Sequence, residues 1–215
     1  MKAVASLCLM LAAPPLAAHP HIFVNTGLAF IVDGQNRLTH VRVTWEYDEL
    51  YSLLVTEDMG IDEDYDGVLD AEDTAKLTGF DMQWIEGYNG DLVGTRAGQP
   101  LTLSGPSAPT AVMHDGKIIT THLREVEGTP DLAQPVEFRP YDGTYYTAYE
   151  VGLPVTIEGS DTCEVTLDEP DIEGALAMTQ AELSAIPQDF DMETAGLGDI
   201  GARFATKVEL SCAGQ

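Results

Sequence analysis

Positive charge is scarce in this sequence. Ten Lys and Arg residues stand against 36 Asp and Glu residues, which gives a formal net charge of −26 at pH 7. A protein with this charge repels the phosphate backbone of nucleic acids and the headgroups of anionic lipids. We therefore exclude nucleic acid and anionic membrane surfaces as partners and expect the protein to attract cations.

Long apolar runs are also scarce. A single such run, Ala3 to Ala13, follows Lys2 and is followed by Pro14 to Ala18. A basic residue, a short apolar region and small residues after it are typical of a secretory signal peptide. We predict a signal peptide over residues 1–18, with cleavage after Ala18. Because no other segment has the length and apolarity to cross a bilayer, we expect an exported, soluble protein with no direct membrane insertion.

Cysteine is limited to three residues, of which Cys8 belongs to the predicted signal peptide. The other two, Cys163 and Cys212, form an even pair in a chain expected to enter an oxidising compartment. This combination favours one disulfide bond. The alternative is a thiolate metal site, which would call for closer spacing and a reducing compartment.

The motifs of hydrolytic enzymes are absent as well. The sequence has no nucleophile elbow, no H-E-x-x-H, no phosphate-binding loop and no candidate catalytic cysteine. We therefore predict that the protein is not an enzyme. The one enzymatic alternative is oxidative chemistry at a copper site built on an N-terminal histidine.

An acidic segment between Asp62 and Asp73 has the pattern of an EF-hand calcium loop, D-x-D-x-D-G-x-L-D-x-x-D. In such a loop, alternating carboxylates and one backbone carbonyl surround a hard cation. Gly67 is expected to make the sharp turn, and Leu69 to hold the loop against the protein body. The predicted ligands are Asp62, Asp64, Asp66, the carbonyl of Val68, Asp70 and Asp73.

The last position of this loop departs from the usual pattern. Asp73 stands where a bidentate Glu is usual, and its side chain is shorter by one methylene. We therefore predict weak calcium binding, with a Kd of roughly 0.1–1 mM, and tolerance of magnesium. The alternative is that the carboxylates form a solvated acidic surface.

Hairpin signals dominate the remaining sequence, because Asp-Gly and Asn-Gly pairs separate several alternating or β-branched runs. Helices are predicted over Glu49–Met59 and Ala71–Leu77, on either side of the acidic loop, and from the capping box at Thr179–Glu182. We predict a mainly β (α+β) fold: a single β-sandwich-like domain over residues 19–215, with an EF-hand-like insertion at about 49–78 and a short C-terminal helix. The predicted strands are Ile22–Val32, Leu38–Tyr47, Lys117–Val126, Val136–Pro140, Tyr145–Val151, Val155–Glu158, Thr162–Leu167 and Phe204–Cys212.

Two histidines open the predicted mature chain, which begins His19-Pro20-His21. A free amine and two imidazoles suit zinc, nickel, cobalt or copper, and His19 and His21 point to the same face of an extended segment. Pro20 blocks the usual amino-terminal copper/nickel motif because it has no amide proton to lose. The alternative is an exposed terminus whose histidines bind nothing. The candidates for a remote third ligand are His122, His114 and His40.

Several segments together carry a family resemblance. They are His19-Pro20-His21-Ile22-Phe23-Val24, Trp45 to Ser52, the acidic loop, Tyr141 to Tyr146, and Phe204 to Cys212. In combination they resemble the domain-of-unknown-function family 1007 over nearly the whole mature chain. Asn25 and Gly143 depart from that family, whose members often carry Asp and Pro there.

The resemblance implies a periplasmic component of an uncharacterised ABC-type transport system, often associated with nickel/cobalt or zinc transport genes. It implies a membrane metal transporter or permease as the partner, and it supplies no catalytic residues. Within the matching tryptophan-containing segment, we expect Trp45 in the core, Asp48 as a helix N-cap and Tyr51 in packing, with a ligand role as the alternative.

Two functions therefore stand as hypotheses. The first is a periplasmic metal-binding accessory protein of a divalent transition-metal transport system. In it, His19 and His21 bind the metal, His122 or His114 assists, and the acidic loop holds calcium. The second is a calcium-stabilised interaction module whose histidines are incidental.

Overall fold

The computed structural model describes residues 20–185 and 199–213, apart from the side chain of Leu183. The predicted signal peptide and His19 lie outside the described residues. Within the described part of the chain, the fold is mainly β, as predicted, with two sheets and three α-helices. The strands are β1 (Ile22–Val32), β2 (Leu38–Tyr47), β3 (Leu92–Arg96), β4 (Gln99–Pro100), β5 (Ser107–His114), β6 (Lys117–Glu125), β7 (Val136–Pro140), β8 (Thr147–Glu150), β9 (Val155–Glu158), β10 (Cys163–Asp168) and β11 (Lys207–Cys212).

The first sheet has the order β5-β6-β2-β1-β8, and β9 also pairs with β1. The strands β5, β6, β2 and β1 form antiparallel pairs, whereas β8 and β9 run parallel to β1. The second sheet has the order β10-β11-β7-β3-β4 and is antiparallel throughout. The predicted two-sheet architecture is therefore confirmed.

The hydrophobic core lies between the two sheets. The rings of Phe30 in β1 and Phe138 in β7 are in contact, with centroids 5.1 Å apart, and both side chains are fully buried. Alternate residues of β2, such as Val41 and Val43, and of β11, such as Leu210, are buried in the same core. Each fully buried side chain of this size stabilises the fold by roughly 1.5–3 kcal/mol relative to leaving it in water.

Helices α1 (Glu49–Met59) and α2 (Ala71–Leu77) form the predicted insertion around the acidic loop. The side chain of Asp48 caps α1 by accepting the N–H of Tyr51 at 2.9 Å, and Gly60 ends α1 at a φ of 62°. Trp45 is buried in the core, and the rings of Tyr47 and Tyr51 are 5.1 Å apart. The structural interpretation of Trp45, Asp48 and Tyr51 is therefore confirmed.

The C-terminal helix begins earlier than the capping box predicts. Helix α3 spans Ile172–Ala185, so Thr179 lies in its middle and donates its hydroxyl proton to the carbonyl of Ala175 at 2.8 Å. Asp171 caps the start instead, because its carboxylate accepts the N–H of Gly174 at 3.0 Å. The prediction of a helix here is confirmed, and its predicted start is wrong.

A disulfide joins Cys163 and Cys212, as predicted. The two residues are direct partners across β10 and β11. The bond therefore links the last strand of the chain to β10, which lies at the end of the second sheet.

Removing this disulfide with the double variant Cys163→Ala/Cys212→Ala is expected to lower the free energy of unfolding by about 4 kcal/mol. The reason is that the unfolded chain, no longer closed into a loop with a sequence separation of 49 residues, gains conformational entropy. Urea titration followed by circular dichroism measures the loss. Reduction of the wild-type protein should reproduce it. A loss below about 1 kcal/mol would contradict the chain-entropy account.

Candidate functional site

The acidic loop brings three carboxylates together. One oxygen from each of Asp62, Asp64 and Asp66 lies within 4.8 Å of the others. Asp62 is buried, whereas Asp64 and Asp66 are exposed. Three convergent carboxylate oxygens are ligands that calcium and magnesium prefer. This arrangement matches the first three predicted ligand positions.

Hydrogen bonds within the loop hold two of these side chains, those of Asp62 and Asp66, in place. The N–H of Gly67 donates to Asp62 Oδ1 at 3.2 Å, and the N–H of Val68 donates to Asp66 Oδ1 at 2.8 Å. Gly67 has a φ of 74°, which is the left-handed conformation that the sharp turn requires. Leu69 packs against the core, as predicted.

The later predicted ligands are engaged differently. Asp70 caps α2, since its Oδ1 accepts the N–H groups of Glu72 and Asp73, both at 2.8 Å. Asp73 reaches back to the start of the loop, where its Oδ2 accepts the N–H of Asp62 at 3.4 Å. Its other oxygen forms an ion pair with Lys76 at 3.1 Å. Asp73 therefore lies beside Asp62, the first predicted ligand of the loop.

The predicted histidines are spread over the first sheet. His21 is exposed before the start of β1, and its ring lies 4.9 Å from that of Tyr146. His122 in β6 is level with Leu28 of β1, because both are level with Val43 of β2. Leu28 is seven residues further along the chain than His21. At the rise of an extended strand, His21 and His122 are therefore separated by roughly 20 Å along the strand direction.

His114 and His40 are no closer to forming a site with His21. His114 is exposed at the end of β5, which is three strands from β1, or about 14 Å at the usual strand spacing. His40 contacts the hydroxyl of Thr39 at 3.1 Å. The structure thus brings none of His122, His114 and His40 together with His21. His19 lies outside the described residues.

A second polar feature lies inside the protein, along the inner face of β6. The burial of β6 alternates, and Ile118, Thr120, His122 and Arg124 are its buried residues. Three of these four are polar, although an inner face of a sandwich is ordinarily apolar. We call Thr120, His122 and Arg124 the β6 polar stripe. Polar groups in such a position are costly to bury unless they are paired.

The Thr120 end of the β6 polar stripe is paired with Asp81. The hydroxyls of Thr120 and Tyr47 both donate to Asp81 Oδ2, at 2.7 Å and 2.9 Å. The indole N–H of Trp84 donates to the carbonyl of Asp81 at 2.9 Å. Burial raises the pKa of Asp81 above its ordinary value, and the two hydroxyl hydrogen bonds oppose that rise.

His122 is enclosed by aromatic rings. Its ring centroid is 4.7 Å from that of Trp45 and 5.5 Å from that of Trp84, both edge to face. Neither ring nitrogen of His122 has a hydrogen-bond partner among the described residues. Burial, together with the nearby charge of Arg124, lowers the pKa of His122 to about 3. The imidazole is therefore neutral at pH 7.

The segment between α2 and β3 supplies a further polar cluster. The hydroxyls of Tyr88 and Tyr149 both donate to Asp91 Oδ2, at 2.7 Å and 2.8 Å. Burial raises the pKa of Asp91, and it also raises the pKa of Tyr88 and that of Tyr149. The Tyr149 ring lies 5.9 Å from the Trp45 ring, which in turn contacts His122. This cluster therefore lies next to the β6 polar stripe.

The fold and the loop together define a class: a mainly β protein with a helix–acidic loop–helix insertion and a stripe of polar residues on the inner face of one strand. Among the described residues, none of the helices combines the length and apolarity needed to cross a membrane. The profile of DUF1007, described as a protein of unknown function, matches residues 4–212. The chain therefore belongs to the DUF1007 family, as the resemblance of its segments indicated. No curated protein matches the sequence.

Replacing Asp81 by Asn is expected to flatten the dependence of stability on pH. The folded-state pKa of Asp81 is raised, so protonation favours the folded state. The Asp81 side chain therefore contributes increasing stability as pH falls toward its ordinary pKa of 3.8. Asn cannot titrate, and its carbonyl can accept both hydroxyl protons. Urea unfolding of both proteins at several pH values measures the difference.

Asp161→Asn is the matched control because Asp161 is exposed. It removes the same formal charge and thus reports the effect of net charge alone. If Asp81→Asn and Asp161→Asn change the pH dependence equally, the buried carboxylate has no special role.

Proposed function

We propose that this protein is a calcium-binding accessory protein of a divalent transition-metal transport system. The convergence of Asp62, Asp64 and Asp66 between two helices supports the calcium part most directly. The three carboxylates repel one another, and a divalent cation between them removes that repulsion. The family resemblance supports the transport context and the periplasmic location.

The cation at the acidic loop is proposed to stabilise the helical insertion. Ile61 at the start of the loop and Leu77 at the end of α2 are both buried in the core. A cation that joins Asp62 to Asp66 and draws in Asp73 therefore fixes the position of both helices on the sheets. The short side chain of Asp73 and its ion pair with Lys76 support weak binding, with a Kd of roughly 0.1–1 mM.

The transition-metal site is proposed at the N terminus of the mature chain. His21 is exposed ahead of β1, where a membrane transporter can reach it. With His122, His114 and His40 elsewhere in the fold, the ligands would be the amine and imidazole of His19 and the imidazole of His21. The site then depends on cleavage after Ala18.

The placement of the other histidines also favours a second candidate function. In this alternative, the protein is a calcium-stabilised periplasmic interaction module, and His19 and His21 bind no metal. The two functions share the calcium loop and differ only at the N terminus.

Calcium is expected to stabilise the wild-type protein but not the variant Asp64→Asn, which loses a ligand of the loop. At a calcium concentration about 20-fold above Kd, the gain in unfolding free energy is about 1.8 kcal/mol. Thermal unfolding with calcium or with a chelator measures this gain, and isothermal titration calorimetry gives the Kd.

Glu63→Gln is the control for this experiment. Glu63 is adjacent to Asp64 and exposed, but it occupies no ligand position in the loop. This variant removes the same charge and should keep the calcium response. Equal losses in Glu63→Gln and Asp64→Asn would show that calcium screens a charged surface without binding a site.

Transition-metal binding is expected to depend on the N-terminal pair. Zinc, nickel and copper are titrated separately into mature protein beginning at His19, with calcium present. We expect micromolar or tighter binding of at least one ion, because an amine and two imidazoles suit borderline metals. The double variant His19→Ala/His21→Ala should lose it.

The control is His40→Ala/His114→Ala, which removes two histidines that lie apart from the terminus and should leave metal affinity unchanged. Binding that is absent, or that survives loss of His19 and His21, would refute the transition-metal role. The interaction module would then be the remaining function.

A further inference from the structure

A cavity of about 360 Å³ opens between β6 and the side of the second sheet formed by β3 and β4. Its lining includes Trp84, Tyr88, Leu92, Leu101, Leu103 and Arg124. The volume lies within the range of small-molecule pockets, which are largely apolar with a few placed polar groups. This wall composition, aromatic and aliphatic side chains around one guanidinium, fits that description.

Arg124 is the only residue of the β6 polar stripe that lines the cavity, and it is 3% exposed. Its guanidinium carbon lies 4.7 Å from the ring centroid of Trp84. Nη1 donates to the carbonyl of Asn89 at 2.9 Å, and Nε donates to the carbonyl of Ser104. These contacts fix the plane of the guanidinium at the wall of the cavity.

No carboxylate of the described residues forms an ion pair with Arg124, although the chain contains 36 acidic residues. Most other Lys and Arg residues in the described part of the chain do have such partners, for example Arg203 with Glu182 at 2.8 Å. Half-buried Arg96 is the exception, and it donates to the carbonyl of Asp131. A guanidinium has five N–H donors, and the two carbonyls use only two of them. Burial lowers the pKa of Arg124 to about 10, so the group still carries its charge at pH 7.

We propose that this cavity binds a small organic carboxylate with an apolar body. Its carboxylate pairs with Arg124, and its apolar part lies against Trp84 and the leucines of the wall. The flat fork of a guanidinium matches the two oxygens of a carboxylate. The pair supplies the anion that this buried charge otherwise lacks.

The surroundings select a monoanion with apolar character. Tyr88, which lines the cavity, is hydrogen-bonded to Asp91, so a second negative charge on the ligand would meet a carboxylate nearby. The net charge of −26 also opposes the approach of anions at long range. The affinity must therefore come from the local ion pair and from burial of the apolar body.

Benzoate is the probe that tests this proposal, with benzamide as its neutral analogue. Each is titrated into the mature, calcium-loaded protein while tryptophan fluorescence and the NMR signal of the Arg124 Nε–H are recorded. Because a small ligand gains limited binding energy, we expect saturable benzoate binding with a Kd on the order of 1 mM or tighter. Benzamide should bind at least about tenfold more weakly, a difference of about 1.4 kcal/mol.

Two variants distinguish a loss of benzoate binding from a loss of folding. Arg124→Gln should weaken benzoate binding by at least about tenfold, while Arg42→Gln, at an exposed arginine paired with Glu158, should not. If Arg124→Gln does not fold, Leu101→Trp tests the site instead, because it keeps Arg124 and fills the cavity. Equal binding of benzoate and benzamide, or no saturable binding of benzoate or hexanoate up to about 20 mM, would overturn the proposal.

Discussion

The structure depends on how the buried polar side chains of β6 are accommodated. Thr120 and Arg124 obtain hydrogen-bond partners, and His122 is enclosed by aromatic rings. A strand whose inner face carries Thr120, His122 and Arg124 cannot simply be covered by a second apolar sheet, because each unpaired polar group would cost free energy. The irregular segment between α2 and β3 therefore folds over this face. It supplies the carboxylate of Asp81 to Thr120 and the carbonyl of Asn89 to Arg124. Two tryptophans, Trp45 and Trp84, fill the space between these polar contacts.

The same strand connects the interior to the acidic loop. The N–H of Ile118, at the start of β6, donates to the hydroxyl of Ser52 in α1 at 2.9 Å. This bond anchors the first helix of the insertion to the sheet. At the nearby turn between β5 and β6, Gly116 lies against Gly67 of the loop. The loop is thus held at one end of β6, while Arg124 lies at the other end, about 20 Å away at the rise of a strand.

Much of this fold could be predicted from local patterns. The bounds of β1, β2, α1 and α2 agree with the sequence prediction, because alternation, Asp-Gly turns and N-capping aspartates are local signals. Strands β3, β4 and β5 were not predicted. Part of their sequence, such as the exposed run in β5, lacks the apolar alternation that marks a half-buried strand.

The acidic loop could also be predicted, since its carboxylates are neighbours in the chain. The β6 polar stripe could not be predicted, because Lys117 to Glu125 carries polar residues on both faces of the strand. Alternation alone would place Thr120 and Arg124 on the exposed face. Asp81, Trp84 and Asn89 come from a segment without periodicity. Only the three-dimensional structure brings them to β6.

The distribution of charge places the two proposed sites in opposite electrostatic surroundings. Most of the acidic residues in the described part of the chain are exposed. The surface field therefore attracts cations and raises their concentration near the acidic loop. Arg124 is enclosed, and the aromatic wall of Trp84 separates it from bulk solvent on one side. In a medium of lower dielectric constant, a single cation acts strongly at short range even though the whole protein is negative. The two proposed sites, one for a divalent cation at the surface and one for an anion in the interior, are therefore compatible in one chain, because the long-range field governs the first and local contact governs the second.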